Sequence, residues 1–468
     1  MRYTFSMQNL FYEVDSLDQR CYQDFHLSED ILMEHAANGM ALYIKEYHAD
    51  LNTLLIVCGA GNNGADGITL ARLLHNSFDV QLYLHKEPSS KIGKIQLKRA
   101  LALGITPLNE LQDANIIVDA LFGSGLNREM DQETASILEQ LNIFKGVKIA
   151  CDMPSGLNKE GHLFKHAFLA DVTLTMGALK RGLYSDKAKE NVGNIFQLDL
   201  GIARELYETP SNWKLLDISD LKPPFRNKKN THKGSFGHLS VIHGEKEGAS
   251  IISALSASAY GAGLITLVGE KITSLDYALM QDRELPSTTS AIACGMGLGK
   301  NFQRDRLSKL LSHKLPMVLD ADIFYHSIFS DLIHKEMIIT PHPKEFVHIL
   351  RTLNLANISV EELQDNRFKY AELFTFKFPH IVLVLKGANS IISTNNKFFI
   401  NPHGTAVLAK GGSGDILAGL CGALLAQGYS PLDAAVQASL AQTISASHVN
   451  KNSYSLTPDD IIKGLSCL

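Results

Sequence analysis

The sequence predicts two α/β domains, each built on a mainly parallel sheet. The chain has 468 residues, and single hydrophobic cores stop growing beyond about 250–300 residues, so two domains are expected. Short apolar runs alternate with helical stretches in both halves, which is typical of parallel strands covered by helices on both faces. This alternation stops over residues 205–232, where prolines and a charged run replace it. We therefore predict one domain over residues 1–208 and another over residues 209–468.

The first half predicts one long helix followed by strands that end in polar or glycine-rich turns. Residues 28–48 have apolar positions at helical spacing, with Ser28 as the residue that caps the helix. Strands are predicted at residues 54–58, 79–84, 116–120 and 147–151.

The second half predicts a different α/β domain, because no sequence repeat relates it to the first. Strands are predicted at residues 237–243, 264–268, 291–294, 316–319, 337–339 and 381–385. Helices rich in small residues are predicted at residues 249–262, 415–427 and 431–449. The stretch between the halves contains the single tryptophan, Trp213, and carries no strand signal.

Charge and cysteine content exclude several classes of protein. Forty-four Lys and Arg residues stand against 49 Asp and Glu residues, giving a formal net charge of -5. A mildly acidic chain without a basic block is a poor partner for nucleic acid or an anionic membrane. The six cysteines are too widely spaced for a zinc knuckle, and we expect them to be buried thiols in a reducing compartment. With no signal-peptide core and no apolar stretch of membrane-spanning length, the sequence predicts a cytoplasmic protein.

A glycine-rich turn after the first strand predicts a nucleotide-related site. Residues Gly59–Gly64 fit the pattern G-x-G-x-x-G between a strand and a helix, as in Rossmann-like dinucleotide-binding domains. Asp66 at the start of the helix would repel a pyrophosphate, however, and no acidic residue ends the second strand to bind a ribose. The loop is therefore expected to bind a nucleotide in another way or to serve catalysis, with a purely structural turn as the alternative.

Polar side chains follow two further strands of the first domain. Asp119 and Asp152 each stand at the end of an apolar run, and Ser155 follows shortly after. The carboxyl ends of parallel strands share one crevice, so these residues are expected to meet Asn62, Asn63 and Asp66 there. Ligands that offer only oxygen atoms suit a hard cation. A lone aspartate at a strand end would more often form a turn.

The second half contains a glycine-rich turn that runs into a helix. Residues Lys410–Asp415 place successive glycine amides before an aspartate, which predicts an anion-binding turn with Asp415 as a base. Residues Lys386–Ser390 follow a buried strand and offer a second phosphate site. The turn Gly295–Gly299 lacks the Ser or Thr that a Walker A motif requires. Glycines placed for tight packing, and a structural His342, are the alternatives.

These motifs together resemble the family of bifunctional NAD(P)H-hydrate repair enzymes, in which an epimerase domain is fused to an ADP-dependent dehydratase domain. GAGNNGADG, VDALFGSGL, DMPSGL and TMGALKRGL resemble the epimerase half in order. KGSFGHLSVIHG, GMGLG, DADIF, TPHPKEF, KGAN and GGSGDILAG resemble the dehydratase half, whose fold is ribokinase-like. The resemblance covers nearly the whole chain.

For the first domain, the resemblance implies interconversion of the R and S hydrates at C6 of the nicotinamide ring. Asp152 is the expected acid–base residue and would also bind the substrate. Lys180 is a second candidate for the acid–base role. A potassium ion would be bound by Asn63, Asp119 and Ser155. The other substrate-binding residues would be Asn62, Asn63, Gly64, Ala65, Asp66, Gly123, Ser124, Gly125, Leu126, Asn127, Arg128 and Glu129.

For the second domain, the resemblance implies dehydration of the S hydrate, with ADP converted to AMP and phosphate. Asp415 would act as the base, and Mg²⁺ would neutralise the diphosphate. The residues that face the hydrate would be Ala249, Gly297, His342 and Asp415. The adenine nucleotide would be held by Lys386, Gly387, Ala388, Asn389, Ser390 and Gly414.

Three positions depart from the family pattern: Ala65 replaces a glycine, and Met296 and Leu179 each replace a proline. The first would strain a backbone that needs a positive φ. Other functions fit parts of the sequence: an NAD-dependent oxidoreductase, a ribokinase-like kinase fused to a nucleotide-binding scaffold, or a first domain without catalytic activity. The expected partners are small molecules, the NADH and NADPH hydrates and ADP, and the chain is expected to form a homo-oligomer.

Overall fold

The computed structural model describes residues Met7–Leu468. They form two compact units, one comprising Asn9–Trp213 and the other comprising Lys214–Leu468 with Met7 and Gln8. Both units are α/β with largely parallel sheets, which confirms the predicted fold class.

The helices and strands are named here in chain order. The strands are β1 (Gln8–Leu10), β2 (Thr53–Cys58), β3 (Asp79–Leu84), β4 (Ile116–Ala120), β5 (Val147–Cys151), β6 (Val172–Met176), β7 (Asn194–Leu198), β8 (Trp213–Leu215), β9 (His238–Ile242), β10 (Leu264–Val268), β11 (Met280–Asp282), β12 (Ala291–Cys294), β13 (Met317–Leu319), β14 (Met337–Ile339), β15 (Ile381–Leu385), β16 (Ser390–Thr394) and β17 (Lys397–Asn401). The α-helices are α1 (Asp15–Asp24), α2 (Glu29–Tyr47), α3 (Asn62–Leu74), α4 (Lys91–Ala102), α5 (Gln132–Ile143), α6 (Lys189–Val192), α7 (Arg204–Tyr207), α8 (Glu247–Ala259), α9 (Arg304–Leu311), α10 (Phe329–Leu332), α11 (Pro343–Thr352), α12 (Val360–Asp365), α13 (Arg367–Lys377), α14 (Ser413–Ala426), α15 (Pro431–His448) and α16 (Pro458–Gly464).

The N-terminal unit is a six-stranded parallel sheet in the order β3-β2-β4-β5-β6-β7. Its central strands are apolar and buried throughout, as strands covered on both faces must be. One core joins α2, α3 and α4 to the sheet, and a second core joins α5 to Leu55, Val57 and Ile117. Because every strand runs the same way, the polar residues that follow β2, β4, β5 and β6 come to one edge.

The sheet of the C-terminal unit runs in the order β17-β16-β15-β14-β13-β12-β9-β10-β11. Pairing is parallel from β11 to β15, and β16 and β17 add an antiparallel hairpin. Helices α8, α14 and α15 share a large core of this unit, which is rich in alanine. Gly419 on α14 lies so close to α8 that a β-carbon there would be 2.1 Å from the Ser253 carbonyl oxygen. Small residues therefore allow these helices to approach closely.

All ten predicted strands are found within a residue of their expected bounds, but several elements were not predicted. The hairpin β16–β17, the interior strand β6 and the edge strands β7 and β11 are additions. The prediction that residues 205–232 lack a strand is wrong, because Trp213 begins β8. This strand has three residues, of which Trp213 and Leu215 are buried and Lys214 is partly exposed, so it is too short to show periodicity among prolines and charges.

The cysteines are buried at five positions, whereas Cys467 is exposed, contrary to expectation. Cys467 lies in the last turn of the chain, beyond the core that the preceding helix completes. Within the described residues, no helix is both long and apolar enough to span a membrane.

Candidate active sites

A cavity of about 590 Å³ lies at the carboxyl ends of the strands of the N-terminal unit. It is lined by Val14, Asp15, Asp18, Gly59, Ala60, Gly61, Asn62, Asn63, Asp66, His85, Lys86, Leu121, Phe122, Gly123, Ser124, Gly125, Leu126, Asp152, Met176, Lys180, Leu200 and Tyr207. The cavity thus includes most of the substrate-binding residues expected for this half. Gly64, Ala65, Asn127, Arg128 and Glu129 do not line it.

The glycine-rich turn brings the chain close to the neighbouring strand. A β-carbon at Gly59 would lie 2.0 Å from the Leu121 carbonyl oxygen, and one at Gly64 would lie 1.9 Å from the Gly59 carbonyl oxygen. Both glycines are therefore required by close backbone approach. Ala65 lies within α3, where no positive φ is needed, and packs against Met33 and Ile92. The departure from the family glycine is accommodated by this packing.

Asp152 and Lys180 form a buried ion pair at the wall of the cavity. The Lys180 ammonium donates to Asp152 Oδ1 at 2.5 Å, to Thr175 Oγ1 at 3.1 Å and to the Met176 carbonyl oxygen at 3.2 Å. An ammonium group has three N–H donors, so all of them are used. Asp152 Oδ1 also accepts from the Met176 amide, and its backbone has a φ of 70°. The sharp turn after β5 is what directs this carboxylate into the cavity.

Two further carboxyl groups, those of Asp66 and Asp18, adjoin this ion pair. Asp66 is 8% exposed, and its carboxyl group makes no hydrogen bond with any described residue. Burial and the nearby carboxylates of Asp152 and Asp18 raise its pKa well above the usual value. Asp18 accepts a hydrogen bond from the Tyr207 hydroxyl at 2.8 Å, and burial raises its pKa to about 6. Sequence reasoning did not single out Asp18 or Tyr207, because no motif marks helices α1 and α7.

Asp119 is completely buried behind the cavity. Its Oδ1 accepts from the Leu121 amide and the Ser155 hydroxyl, and its Oδ2 accepts from the Ser155 amide at 2.7 Å. Burial raises its pKa to about 6 although these hydrogen bonds oppose the effect. Nearby, the buried Nδ2 of Asn63 has no hydrogen-bond partner among the residues described. The three residues predicted to bind potassium thus offer oxygen atoms, a buried negative charge and an unsatisfied amide group.

In the C-terminal unit, α14 begins immediately after the glycine-rich turn. Gly412 has a φ of +96°, and a β-carbon there would lie 2.7 Å from Pro458, so the turn depends on glycine. Asp415 lies in the first turn of the helix, where the free backbone amides favour negative charge. Burial and the charge of Asp320 raise its pKa to about 6, while Lys386 opposes this effect. The group can therefore accept a proton near neutral pH.

Lys386 and Asp320 form an ion pair beneath this turn. The Lys386 ammonium donates to Asp320 Oδ1 at 2.8 Å, and Asp320 is almost fully buried. A β-carbon at Gly414 would lie 3.1 Å from Lys386 Nζ and 3.4 Å from Asp320 Oδ2. The structure thereby joins the two phosphate-binding motifs predicted separately. Asp320 directly follows β13 in the DADIF motif, so the strand-end reasoning applied to Asp119 would have found it.

The turn that follows Lys386 is held by Arg367, a buried residue that sequence reasoning missed. Its guanidinium donates to the carbonyl oxygens of Leu385, Lys386 and Asn389. Of the predicted nucleotide-binding residues, Gly387 and Ala388 are exposed and Asn389 is buried. The planar guanidinium fixes three carbonyl groups at once, which defines the conformation of the turn.

The residues expected to face the hydrate lie on four different segments: α8, the turn after β12, the N-cap of α11, and α14. A β-carbon at Gly297 would lie 3.1 Å from the β-carbon of Ala249, so these two residues adjoin. His342 caps α11: its Nδ1 accepts from the amides of Lys344 and Glu345, and its Nε2 lies 3.2 Å from Glu345 Oε1. Both ring nitrogens are therefore engaged, so any contact of His342 with a ligand would use the ring itself.

Comparison with known proteins identifies both halves. Residues 239–466 match the family model described as NAD(P)H-hydrate dehydratase, and residues 29–182 match the model of the YjeF-related protein N-terminus. The chain is 40% identical over 99% of its length to the whole of a bifunctional NAD(P)H-hydrate repair enzyme from Helicobacter pylori. It belongs to the bifunctional NAD(P)H-hydrate repair enzyme family. The enzyme class predicted from the sequence is confirmed.

Other similar proteins share less of their sequence with this chain. A bifunctional NAD(P)H-hydrate repair enzyme from Dictyoglomus turgidum is 32% identical, with 96% of each chain covered. Among solved structures, an ADP/ATP-dependent NAD(P)H-hydrate dehydratase from Bacillus subtilis, co-crystallised with ATP and Mg²⁺, is 24% identical, with a TM-score of 0.44. That alignment covers 53% of this chain and 94% of the other.

Proposed function

We propose that this member of the repair-enzyme family acts on both hydrates of NADH and NADPH. Residues 1–208 would interconvert the R and S forms, and residues 209–468 would dehydrate the S form at the expense of ADP. The products would be the reduced nicotinamide cofactor, AMP and phosphate. The observation that carries the proposal is the cluster at the start of α14, where Asp415 adjoins the Lys386–Asp320 ion pair behind an open glycine turn.

The chemistry of the dehydratase half follows from the poor leaving ability of hydroxide. Asp415 would remove the proton of the C6 hydroxyl, whose oxygen would attack the β-phosphorus of ADP and release AMP. The C6–O bond of the phosphate ester would then break, with loss of a C5 proton, to give phosphate and the C5–C6 double bond. The amides of the turn would stabilise charge on the transferred phosphoryl group.

The nucleotide would be bound by the turn after Lys386. Arg367 holds the carbonyl groups of this turn away from the ligand side, and Lys386 supplies a positive charge next to Gly414. Mg²⁺, when bound with the nucleotide, would neutralise the diphosphate. The carboxylates of Asp320 and Asp322, whose charges act on Asp415, would offer it oxygen ligands.

In the epimerase half, Asp152 would exchange a proton with the substrate, held in place by Lys180. All three ammonium donors of Lys180 are used within the protein, so we assign it a positioning role. Asp66, whose pKa burial raises well above the usual value, would present a neutral carboxyl group as a hydrogen-bond donor. A β-carbon at position 123 would lie 3.4 Å from Asp152 Oδ2. Gly123 has no β-carbon and would therefore leave room for the substrate beside this oxygen.

The residues proposed for potassium fit a hard monovalent cation. Asp119 is buried, and its carboxyl pairs with no cationic side chain of the described residues. A bound cation would supply the missing positive charge, and Asn63 and Ser155 would add oxygen ligands. Potassium would thereby stabilise the turns that follow β4 and β5.

Recovery of reduced nicotinamide tests the proposal directly. Purified protein is mixed with NADH hydrate and ADP or ATP, and absorbance of the reduced nicotinamide is followed together with released phosphate. We expect complete recovery of a mixture of R and S forms, with one phosphate released for each cofactor restored. Absence of recovery with either nucleotide would contradict the dehydratase assignment. Recovery of the S form alone would contradict the epimerase assignment.

A ribokinase-like kinase is the second candidate, because the glycine turn with Asp415 would serve it equally well. A kinase keeps the phosphoryl group on its product, so phosphate would not appear in solution.

We also propose a cytoplasmic location and a homo-oligomeric state, the latter to be measured by light scattering.

A further inference from the structure

A second acid–base pair, Asp18 and Tyr207, adjoins the cavity of the N-terminal unit. The Tyr207 hydroxyl donates to Asp18 Oδ1 at 2.8 Å, and both residues line the cavity. Asp18 Oδ2 makes no hydrogen bond with a described residue. The two residues lie on α1 and α7, outside the matched region at 29–182. Neither the motifs nor the family model assigns them a role.

The pair lies next to the Asp152–Lys180 ion pair. The ring of Tyr207 is 2% exposed and packs on Gly177, where a β-carbon would lie 2.6 Å from the Tyr207 hydroxyl oxygen. Gly177 directly follows Met176, whose amide donates to Asp152 and whose carbonyl oxygen accepts from Lys180. Both carboxylates are therefore held at the end of the same strand, β6.

Epimerisation at a carbon bearing a hydroxyl group requires proton exchange on two faces. The C6–O bond breaks when an acid protonates the hydroxyl, which leaves as water and gives a cation shared between C6 and the ring nitrogen. Water then adds to the other face and loses a proton to a base. The group that acts as an acid in one direction acts as a base in the reverse direction. Lys180 has no donor left for this task, so Asp152 needs a second partner.

We propose that Asp18, positioned by Tyr207, is the acid–base residue that serves the face of the nicotinamide ring not served by Asp152. The inference rests on the proposed epimerase function. Each turnover would transfer one proton from one carboxyl group to the substrate oxygen and one proton from water to the other carboxylate. The two groups would thus exchange protonation states, ready for the reverse reaction.

The surroundings favour Asp18 over the other carboxyl groups for this exchange. Burial raises the pKa of Asp18 to about 6, Tyr207 and Lys180 oppose this effect, and Asp152 and Asp15 add to it. A group that alternates between acid and base works best when it titrates near the working pH. The pKa of Asp66 is raised much further, so Asp66 would keep its proton, and Asp15 is exposed.

The two hydrates allow a test with an internal control. Recovery of the R form needs both halves of the chain, whereas recovery of the S form needs only the dehydratase. In Asp18→Asn we expect kcat for the R form to fall about 100-fold with KM changed little, after subtraction of spontaneous epimerisation. Recovery of the S form should be unchanged. Asp24→Asn on the same helix, where the side chain is exposed and outside the cavity, should behave like wild type.

The pH profile separates catalysis from structure. In wild type, kcat for conversion of the R form to the S form, measured without ADP so that Asp415 does not contribute, should change near pH 6. This limb of the pH profile should be absent in Asp18→Asn. Tyr207→Phe removes the hydrogen bond that favours the carboxylate, so the limb should move to higher pH. Asp18→Glu should recover part of the rate if Asp18→Asn does not fold.

Three outcomes would overturn the assignment or its basis. An unchanged R-form rate and pH profile in Asp18→Asn would refute the role of Asp18. Loss of the limb in Asp66→Asn but not in Asp18→Asn would transfer the role to Asp66. If wild type restores the S form but not the R form, the proposed epimerase function itself fails.

Discussion

The buried ion pair between Lys180 and Asp152 permits a quantitative prediction. Lys180 is 1% exposed, and its ammonium makes three hydrogen bonds inside the N-terminal unit. Lys180→Met would leave the Asp152 carboxylate in the cavity wall without its counter-charge. Removal of one partner of a buried ion pair costs about 3–5 kcal/mol. With a urea dependence of about 2 kcal/mol per M, the unfolding midpoint should fall by about 2 M.

The single tryptophan provides the assay. Trp213 is buried, and the Arg181 guanidinium lies 4.6 Å from the centre of its ring, so its fluorescence reports the loss of this packing when the chain unfolds. Lys94→Met, at an exposed position on α4, is the matched control and should change stability by less than about 0.5 kcal/mol. The double variant Asp152→Asn/Lys180→Met should be more stable than Lys180→Met alone, because no unpaired charge remains.

Two results would refute this reasoning. One is a loss of less than about 1 kcal/mol in Lys180→Met, which would mean that the ion pair contributes like an exposed one. The other is a double variant no more stable than the single variant, which would mean that packing of the lysine side chain, not its charge, is what is lost.

Three further predictions concern the sites themselves. Asp415→Asn should lower the rate of S-hydrate dehydration by about 10²–10⁴-fold, while calorimetry still detects ADP binding. The wild-type rate should rise with pH through about 6, where Asp415 ionises. Equal rates in the variant and the wild type would contradict the base assignment. Potassium should raise the melting temperature of the N-terminal unit more than tetramethylammonium does. This gain should shrink below pH 6, because protonated Asp119 binds a cation weakly. Asp119→Asn should abolish the gain, and a gain that persists in this variant would exclude the site. Arg367→Lys should raise KM for ADP several-fold with little change in kcat, because an ammonium group cannot fix these three carbonyl groups in the same way as a planar guanidinium. An unchanged KM would show that contacts other than those of Arg367 hold the turn.

The strands that carry the sites were predictable because each is an apolar run closed by glycine or a polar residue. Seven strands, β3, β4, β5, β10, β12, β14 and β15, have the predicted bounds. The hairpin β16–β17 also has a sequence signal, although it was not predicted. Its turn is Asn395–Asn396, both with positive φ, and two asparagines between apolar runs favour a tight hairpin. The strand β8 left none, because three residues cannot establish a period.

The candidate sites were predictable where they follow from strand ends and not where they depend on helices distant in sequence. Asp119, Asp152 and Asp66 were expected to meet at one edge, and they adjoin the same cavity region. Asp18 and Tyr207 are 189 residues apart, and nothing local in either segment indicates that they touch. Arg367 was missed for a related reason: its guanidinium acts on backbone carbonyl groups, which carry no side-chain signature.

The burial of five of the six thiols has a consequence for how this chain meets oxidants. Burial raises the pKa of Cys58, Cys151, Cys294 and Cys421, and thiols that keep their protons are poor nucleophiles toward peroxide or disulfides. The two beside the strand-end carboxylates, Cys58 and Cys151, are thereby inert. Oxidation should therefore be confined to Cys467, where a disulfide between two molecules would mimic native association. The number of subunits should therefore be measured in the presence of a reducing agent. The exposed thiol of Cys467 also offers one point for attaching a label to the native chain.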